Sequence, residues 1–559
     1  MVSSRNHHLT GRRQAASQKT KLLLSLSLAA LSASWSMGPA LAQETTEKTT
    51  RLQRLVVTAA GSEQELRDAP ASITLITSEE IEKLPAQDVR DLLAKVQGIT
   101  LGRSGNANTI QIRGLGQRYT LFMIDGRRVD SSPNMFRGND YDSAWVPLDA
   151  IERIEVVRGP MSSLYGSDAI GGVVNIITKP IADAWHGSVT GEYTYQQHRD
   201  SGDYWRTGFF ASGPLIKDKL GLKIYGSWDH RNGDAATVNG NLAWQGFQLS
   251  DNKYVDATAT WTPNVQNRID FNYGYSHRNH QSQTATGARI DYPMDRHALG
   301  ISHFGDYSFG TTELKVWGDR VHNYQGHGNT LNVPQPNTAY NAGVDGKMVL
   351  PVEWGVPQTI TVGGSFRYQS IYDPFVLTGI GGTSSSVYNA AAFVEDEFRF
   401  TDDFLVTLGT RLDYHQNFGL NASPRAYGIY HFTDAFSIKG GYSRAFKAPT
   451  LLENSPNWVQ ISCGGSCYML GSTALKPETS NSFEAGLYYD DPNWSASLVG
   501  FYNSLTNMIP FPPNRTNNVA LAPTYPNFVG FNAAGIPMFT YENIDRARTA
   551  GVEAGVRVT

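Results

Sequence analysis

Three groups of residues in this 559-residue chain have types and spacings that could do chemistry. Arg127, Arg128 and Arg137, with Asp140 and Asp142, crowd the stretch from Arg127 to Trp145, where guanidinium groups could receive an anion. A loop that long in a compact unit is more often functional, although a solvated loop is the plain alternative. Cys463 and Cys467 stand in Cys-Gly-Gly-Ser-Cys, which could close a tiny disulfide loop or supply two metal ligands. Zinc would need further ligands and no His pair stands nearby, so in an exported chain a disulfide is expected. Leu55-Val56-Val57-Thr58-Ala59 is short and β-prone. It reads equally as the first strand of a domain and as a linear motif that adds to the edge of a partner's sheet. The chain has no Gly-x-Ser-x-Gly, no His-Glu-x-x-His and no Cys–His pair of known spacing, which argues against an enzyme; no catalytic or metal residue is assigned. Gly114-Leu115-Gly116 leads into a strand and lacks a third glycine, so a nucleotide site is discounted.

The elements that must position these residues fall into distinct zones. Five basic residues, an apolar run from Leu22 to Leu31 and Ala40-Leu41-Ala42 mark residues 1–42 as a cleavable signal peptide. Arg12-Arg13 is followed by Gln-Ala-Ala, a poor match to the twin-arginine route. Cleavage would remove five Lys/Arg and no acid, making the formal charge of −4 five units more negative, which disfavours a nucleic-acid partner. Residues 43–65 are expected to be flexible, because 43–54 are too polar to form a core. Residues 66–180 read as a compact α+β unit. Ser78 is expected to cap a helix, Val89–Val96 to form a second, and Thr109–Arg113 and Tyr119–Asp125 to be strands. The stretch 151–179 runs strand, turn at Gly159-Pro160, irregular piece, then a β-branched strand. Val173, Val174, Ile176 and Ile177 make that strand apolar on both faces, so it needs cover on two sides.

From Trp185 the pattern becomes long alternating strands with aromatic residues near their ends. No run of 18 apolar residues follows the leader, so transmembrane helices are excluded while an outer-membrane barrel is not. Short turns, as at 217–218, 263–264, 309–310, 353–354, 402–403, 433–434 and 491–492, alternate with polar excursions such as 232–253, 276–294, 446–478 and 504–540. That segregation is what a membrane barrel shows and a soluble sandwich does not need. About 16 strands are expected from 181 to 559, each near the ten residues a tilted span requires. A barrel that wide would be an aqueous channel unless the 66–180 unit filled it.

These pieces together resemble a TonB-dependent outer-membrane receptor, most closely the colicin I receptor (Cir) type of catecholate siderophore receptor. The resemblance spans residues 55–559. It rests on Leu55–Ala59 as a TonB box, Ile112-Arg113-Gly114, Asp125-Gly126-Arg127-Arg128-Val129, the 151–179 stretch, Phe393-Val394-Glu395-Asp396-Glu397, Ala445-Phe446-Lys447-Ala448-Pro449, the Cys463–Cys467 loop and Leu475-Lys476-Pro477-Glu478-Thr479. It implies a mostly β protein: a transmembrane antiparallel β-barrel with an N-terminal α+β plug domain inside it. It also implies active import of ferric catecholate complexes with TonB as partner; the alternatives are a TonB-dependent receptor for another ligand, cobalamin or haem, and a passive barrel or adhesin. Iron would be carried as the siderophore complex, with no cofactor in the protein, and colicin binding would be an incidental use.

Matched motif by motif, the resemblance implies a plug–barrel lock of Arg113 and Arg158 with Glu484 and Glu553. Strand alternation supports it separately: with Phe483, Ala485 and Leu487 facing lipid, Glu484 faces inward, and Val552, Ala554 and Val556 place Glu553 likewise. Capture of an anionic aromatic complex asks for arginines at the outer end, where Arg103, Arg127, Arg128 and Arg137 are the candidates. Receptors of this type have 22 strands, whereas this chain stops at Arg557-Val558-Thr559 inside the sixteenth. The barrel is therefore expected to be left open, as a fragment or truncated reading frame would leave it.

Overall fold

The computed structural model describes residues 55–558 apart from 105–106, 130–145, 199, 236, 239–240, 246–247, 284–288, 325–335, 379–381, 456, 492 and 511–513. The leader and the polar segment before Leu55, together with Arg137, Asp140 and Asp142, lie outside the described residues. So does the side chain of Arg103, in the strand Ile99–Ser104.

Residues 66–178 build a mixed sheet in the order Ser72–Thr77, Ile151–Arg158, Gly172–Thr178, Thr120–Ile124, Arg127–Val129. Gly172–Thr178 is central, antiparallel to Ile151–Arg158 and parallel to Thr120–Ile124. Its Val173, Val174 and Ile176 are completely buried, since a strand with β-branched residues on both faces must be covered on both. A Cβ on Gly172 would lie 2.3 Å from Val157 O, so the close backbone approach there requires glycine.

The first helix, Ser78–Lys83, is capped not by Ser78 but by Thr77. Thr77 Oγ1 accepts Glu80 N at 3.4 Å while Glu80 Oε2 accepts Thr77 N at 3.0 Å, a reciprocal box that satisfies two otherwise open amides. The second helix is shorter than expected, Val89–Leu93, and is capped by Asp88, whose side chain accepts the amides of Arg90 and Asp91. The strand Ala107–Ile112 pairs with Ile99–Ser104, one residue short of the expected end.

The remaining chain forms one antiparallel sheet whose strands pair in sequence order from His186–Thr194 to Ile544–Val558. Of its seventeen strands, the three-residue Arg289–Asp291 merely extends Met294–Tyr307 on the same neighbour; the other sixteen are the long ones. Leu299, Ile301, Leu314, Val316, Phe366, Leu408 and Leu412 are exposed on the outward face. Between them Lys315, Arg411 and Asp413 point inward and are buried, the alternation a lipid-facing wall demands.

Turns fall within a residue or two of expectation, as at Gly355 instead of 353–354. Some polar excursions begin later: Asn267–Gln283 and Trp494–Met508 continue as strand through residues read as loop. Polar composition marks the water level, and the ladder continues above it. Among the described residues no ladder joins the first long strand to the last, so the sheet keeps two edges.

On the long-loop side a second, four-stranded sheet forms from Val459–Ser462, Cys467–Leu470, Pro537–Thr540 and Phe528–Phe531. It packs around buried Trp458, Met469, Phe539 and Tyr541. Cys463 and Cys467 are disulfide-bonded at its hairpin.

Candidate functional site

Arg113 follows the strand Ala107–Ile112 in the left-handed region, at φ +52, and Gly114 repeats it at +78. A non-glycine residue there is uncommon, and this one is held in place by its bonds: the amide donates to Gly98 O at 2.9 Å. Its guanidinium crosses to the wall. Nε and Nη2 donate to the two oxygens of Glu553, each at 3.0 Å, and Nη1 donates to Glu484 Oε2 at 2.9 Å. The face of the group lies 4.5 Å from the Phe501 ring centre. Arg158 adds a looser contact, 3.6 Å to Glu553 Oε2, and donates to Gln97 O at 2.8 Å.

Glu484 is saturated by further donors: Tyr427 Oη at 2.7 Å, and Ser72 through both N and Oγ at 3.2 Å. Burial alone would lower the Arg113 pKa, but the two carboxylates hold it well above the ordinary arginine value. For Arg158 burial wins, and its pKa is lowered despite Glu553. All four residues expected to act together are thus in one buried cluster, two cations against two carboxylates. Such charges are tolerable inside only when paired.

The N-terminal segment is also folded in. Leu55–Val56 pairs antiparallel with Gln64–Glu65, and Val56, Thr58 and Ala59 are completely buried. Leu55–Val56 is thus a short strand of the folded unit, and the flexibility expected through residue 65 does not extend to 55–65. Barrel cations grip the carbonyls of the segment that follows. Arg425 donates to Ala59 O at 2.9 Å and also to Pro70 O, Lys439 donates to Leu66 O and Ala69 O at 3.1 Å, and Lys347 donates to Gly61 O.

Of the arginines proposed for ligand capture, Arg127 reaches barrel Asn272 Oδ1 at 2.7 Å. Arg128 requires a correction: its buried guanidinium is turned inward, donating to Asp168 Oδ2 at 3.0 Å and to the carbonyls of Tyr165 and Ser167 at 2.6 and 3.0 Å. Asp168 recruits it there, together with barrel Lys447. Burial would raise the Asp168 carboxyl, but Lys447, Arg128 and Arg367 hold it well below the carboxylate range. Arg118, half-buried, pairs with Glu453 and Glu478, at 3.1 and 3.3 Å.

Sequence reasoning missed Glu155, Asp168, Arg425, Lys439 and Lys447 as plug-holding residues. For the barrel cations a signal existed: Lys439 alternates with outward Ile438, and the inward side of such a wall has only the plug to meet.

Fold and site together define a class: an antiparallel membrane sheet curved around a separately folded plug that buried charge ties to its inner face. Residues 65–173 match the family model described as TonB-dependent Receptor Plug Domain, and residues 177–559 match TonB dependent receptor-like, beta-barrel. The chain belongs to the TonB-dependent receptors of the Gram-negative outer membrane. It is 33% identical over 518 residues to the iron-regulated outer membrane virulence protein of Vibrio cholerae serotype O1, covering 90% of this chain and 75% of that protein. Identity to the ferrienterobactin receptor of Escherichia coli K12 is 30%, over 93% of this chain and 77% of that protein. The crystal structure of the siderophore receptor PirA from Acinetobacter baumannii superimposes with a TM-score of 0.76 at 28% identity, covering 87% of this chain and 78% of that one.

Proposed function

We propose that this protein imports ferric catecholate siderophores across the outer membrane, driven by TonB acting on Leu55–Ala59. The observation that carries the cargo assignment is the 30% identity to a ferrienterobactin receptor along 93% of the chain. The geometry supports active over passive transport. The plug is bonded to the wall from Arg206 (to Gln87 O, 3.3 Å) round to Arg557 (to Glu80, 2.9 Å), contacts that a passive channel does not need. Arg103, Arg127 and Arg137 are the direct donors proposed for the anionic complex, whose catechol oxygens accept charge-assisted hydrogen bonds.

The test is growth in iron-limited medium of a strain lacking its own catecholate receptors. The strain is supplied in turn with ferric catecholates, a ferric hydroxamate, haem and cobalamin, with and without TonB. Rescue by ferric catecholates that vanishes without TonB is expected. Rescue by haem alone, or equal rescue without TonB, would reject the proposal.

A further inference from the structure

The outward face of the wall changes character at one height on the four strands Phe436–Lys447, Glu478–Asp490, Trp494–Met508 and Ile544–Val558. Their register aligns outward residues in rows that cross all four. Ile438, Leu487, Leu498 and Ala554 form one apolar row, and Gly440, Ala485, Gly500 and Val552 the next toward the long-loop side. Tyr442, Phe483 and Tyr502 follow, an aromatic row of the kind that ends a lipid-facing band. Directly beyond it Arg444, Asn481, Ser504 and Arg548 share one row, and Thr479, Thr506 and Arg546 share the row after that.

Parity and contacts fix these side chains on the outer face. Lys439, Val499 and Glu553, at the alternate positions, are buried inward, while Phe483, Tyr502 and Val552 are exposed. Tyr442 Oη donates to Asn481 Oδ1 at 2.9 Å, and the hydroxyls of Thr479 and Thr506 meet at 2.9 Å on the same face. Arg546 and Arg548 are exposed and Arg444 is half-buried. Neither row contains an acid, since Asp545 beside Arg546 falls on the opposite parity. Among the described residues none of the three guanidiniums has a carboxylate partner. Elsewhere on the upper outward face acids accompany the basic residues: Lys253 pairs with Asp251 at 3.1 Å, and His277 with Asp295 at 2.8 Å.

Three uncompensated cations therefore stand where the polar layer of the outer leaflet begins. Arg444 and Arg548 are three strand spacings apart, about 14 Å, with the Asn481 amide and the Ser504 hydroxyl between them. Like charges gathered this way repel unless an anion joins them. A phosphate accepts paired, charge-assisted bonds from a guanidinium, and a lipid presents phosphate at this height while its acyl chains lie along the apolar rows below.

We infer that Arg444, Arg546 and Arg548, with Asn481 and Ser504, form a binding site on the outer surface of the wall for the phosphate groups of an outer-leaflet lipid. A lipid with two phosphates matches the three cations better than a lipid with one. The site lies outside the barrel and apart from the plug, so it involves neither cargo nor TonB.

The purified full chain in detergent is titrated with lipid A carrying two phosphates, with its monophosphoryl form and with phosphatidylcholine, and bound lipid is counted by native mass spectrometry. Affinity should fall in that order. An arginine at a charged lipid surface contributes about fivefold, so Arg444→Gln and Arg548→Gln should each weaken binding of the bisphosphorylated lipid about fivefold, and the double variant more than about tenfold. Arg444→Lys with Arg548→Lys keeps the charge and loses the fork, and should fall between the parent and the double glutamine variant. Arg320→Gln removes an exposed outward cation whose row neighbours are His297 and Tyr340, and should change affinity less than about twofold.

Parental affinity in the double glutamine variant, or equal affinity for phosphatidylcholine and the bisphosphorylated lipid, would overturn the site. An equal loss in Arg320→Gln would also overturn it, by showing attraction to charge at large. Displacement of the lipid by inorganic phosphate at equal phosphate concentration would assign the arginines to free phosphate and reject the lipid. Cys463 and Cys467 are joined, so Val174→Cys introduces the one free thiol, at a completely buried position of the plug's central strand. Its protection from a hydrophilic maleimide verifies the fold of each variant. If the double variant labels faster, the two single variants carry the decision, and parental affinity in both rejects the proposal. None of these outcomes depends on which cargo is carried, so the uptake assay fails or succeeds separately.

Discussion

Glu553 and Arg113, 440 residues apart in sequence, meet through two parallel hydrogen bonds of 3.0 Å each. This fork-to-fork geometry is the strongest arrangement a guanidinium and a carboxylate can adopt. Its position matters as much as its strength. Glu553 lies on Ile544–Val558, the edge strand of the sheet, whose outward Val552 and Val556 remain about three-quarters exposed. Its ladder partner is Trp494–Met508, and the plug contact adds a second hold on its inner face.

Glu553→Gln should therefore weaken plug docking by about 3–5 kcal/mol, the range for a buried ion pair that loses one partner. Glu484→Gln should cost less, because Tyr427 and Ser72 remain as donors to the amide oxygen. Urea denaturation followed by exposure of a thiol at Val174 would order the two. Equal midpoints for Glu553→Gln and the parent would refute the assignment.

How much of this could be read beforehand depended on whether a residue had an outward neighbour. Glu484 stands between Phe483 and Ala485, and Glu553 between Val552 and Ala554, so parity alone placed both inside. Glu155 offered no such signal, since Ile154 and Val156 beside it are themselves completely buried and both faces of its strand are interior. Asp168 was opaque for another reason: Lys447 and Arg128 come from strands distant in sequence, and only the docked plug brings them together. The outer sheet around Trp458 and Phe539 was unreadable because its strands are four residues long, too short to display a period.

The disulfide closes a very small loop. With a separation of four residues the chain-entropy estimate is about 2 kcal/mol. Because Cys463–Cys467 staples only the hairpin of the outer sheet, Cys463→Ser with Cys467→Ser should loosen that sheet and leave the plug untouched. Protease added to intact cells should cut near residues 459–470 faster in the double variant, with no change in Val174 thiol exposure. Faster exposure at residue 174 would mean that the outer sheet also supports the plug.

Asp68 links the plug to the short-turn rim, accepting from His431 Nε2 at 3.0 Å and from Arg399 Nη2 at 3.2 Å. Burial raises its carboxyl pKa, but these two hydrogen bonds outweigh that and bring it from an ordinary 3.8 down to about 2. A carboxyl depressed in the folded state stabilises fully above its unfolded pKa, and that contribution is lost as pH falls through the folded value. Anchoring of residues 66–70 should thus weaken between pH 4 and 2. Pepsin, active throughout that window, should cut this segment progressively faster in the parent. Asp68→Asn, compared at each pH, should already be susceptible at pH 4 and show a flatter profile; identical profiles would remove Asp68 from the anchor.

Gly98 supplies the sharpest steric test. It sits at φ +77, and a Cβ there would come within 2.1 Å of Glu553 Oε1 and 3.0 Å of its Cδ. Gly98→Ala carries two separable costs: backbone strain of about 1 kcal/mol for a side chain in the left-handed region, and displacement of Glu553 from Arg113. If the second dominates, Gly98→Ala should destabilise the plug nearly as much as Glu553→Ala. The double variant should then be little worse than either alone, since the same ion pair cannot be lost twice. Additive losses in that cycle would show that the glycine serves its own turn and not the approach of Glu553.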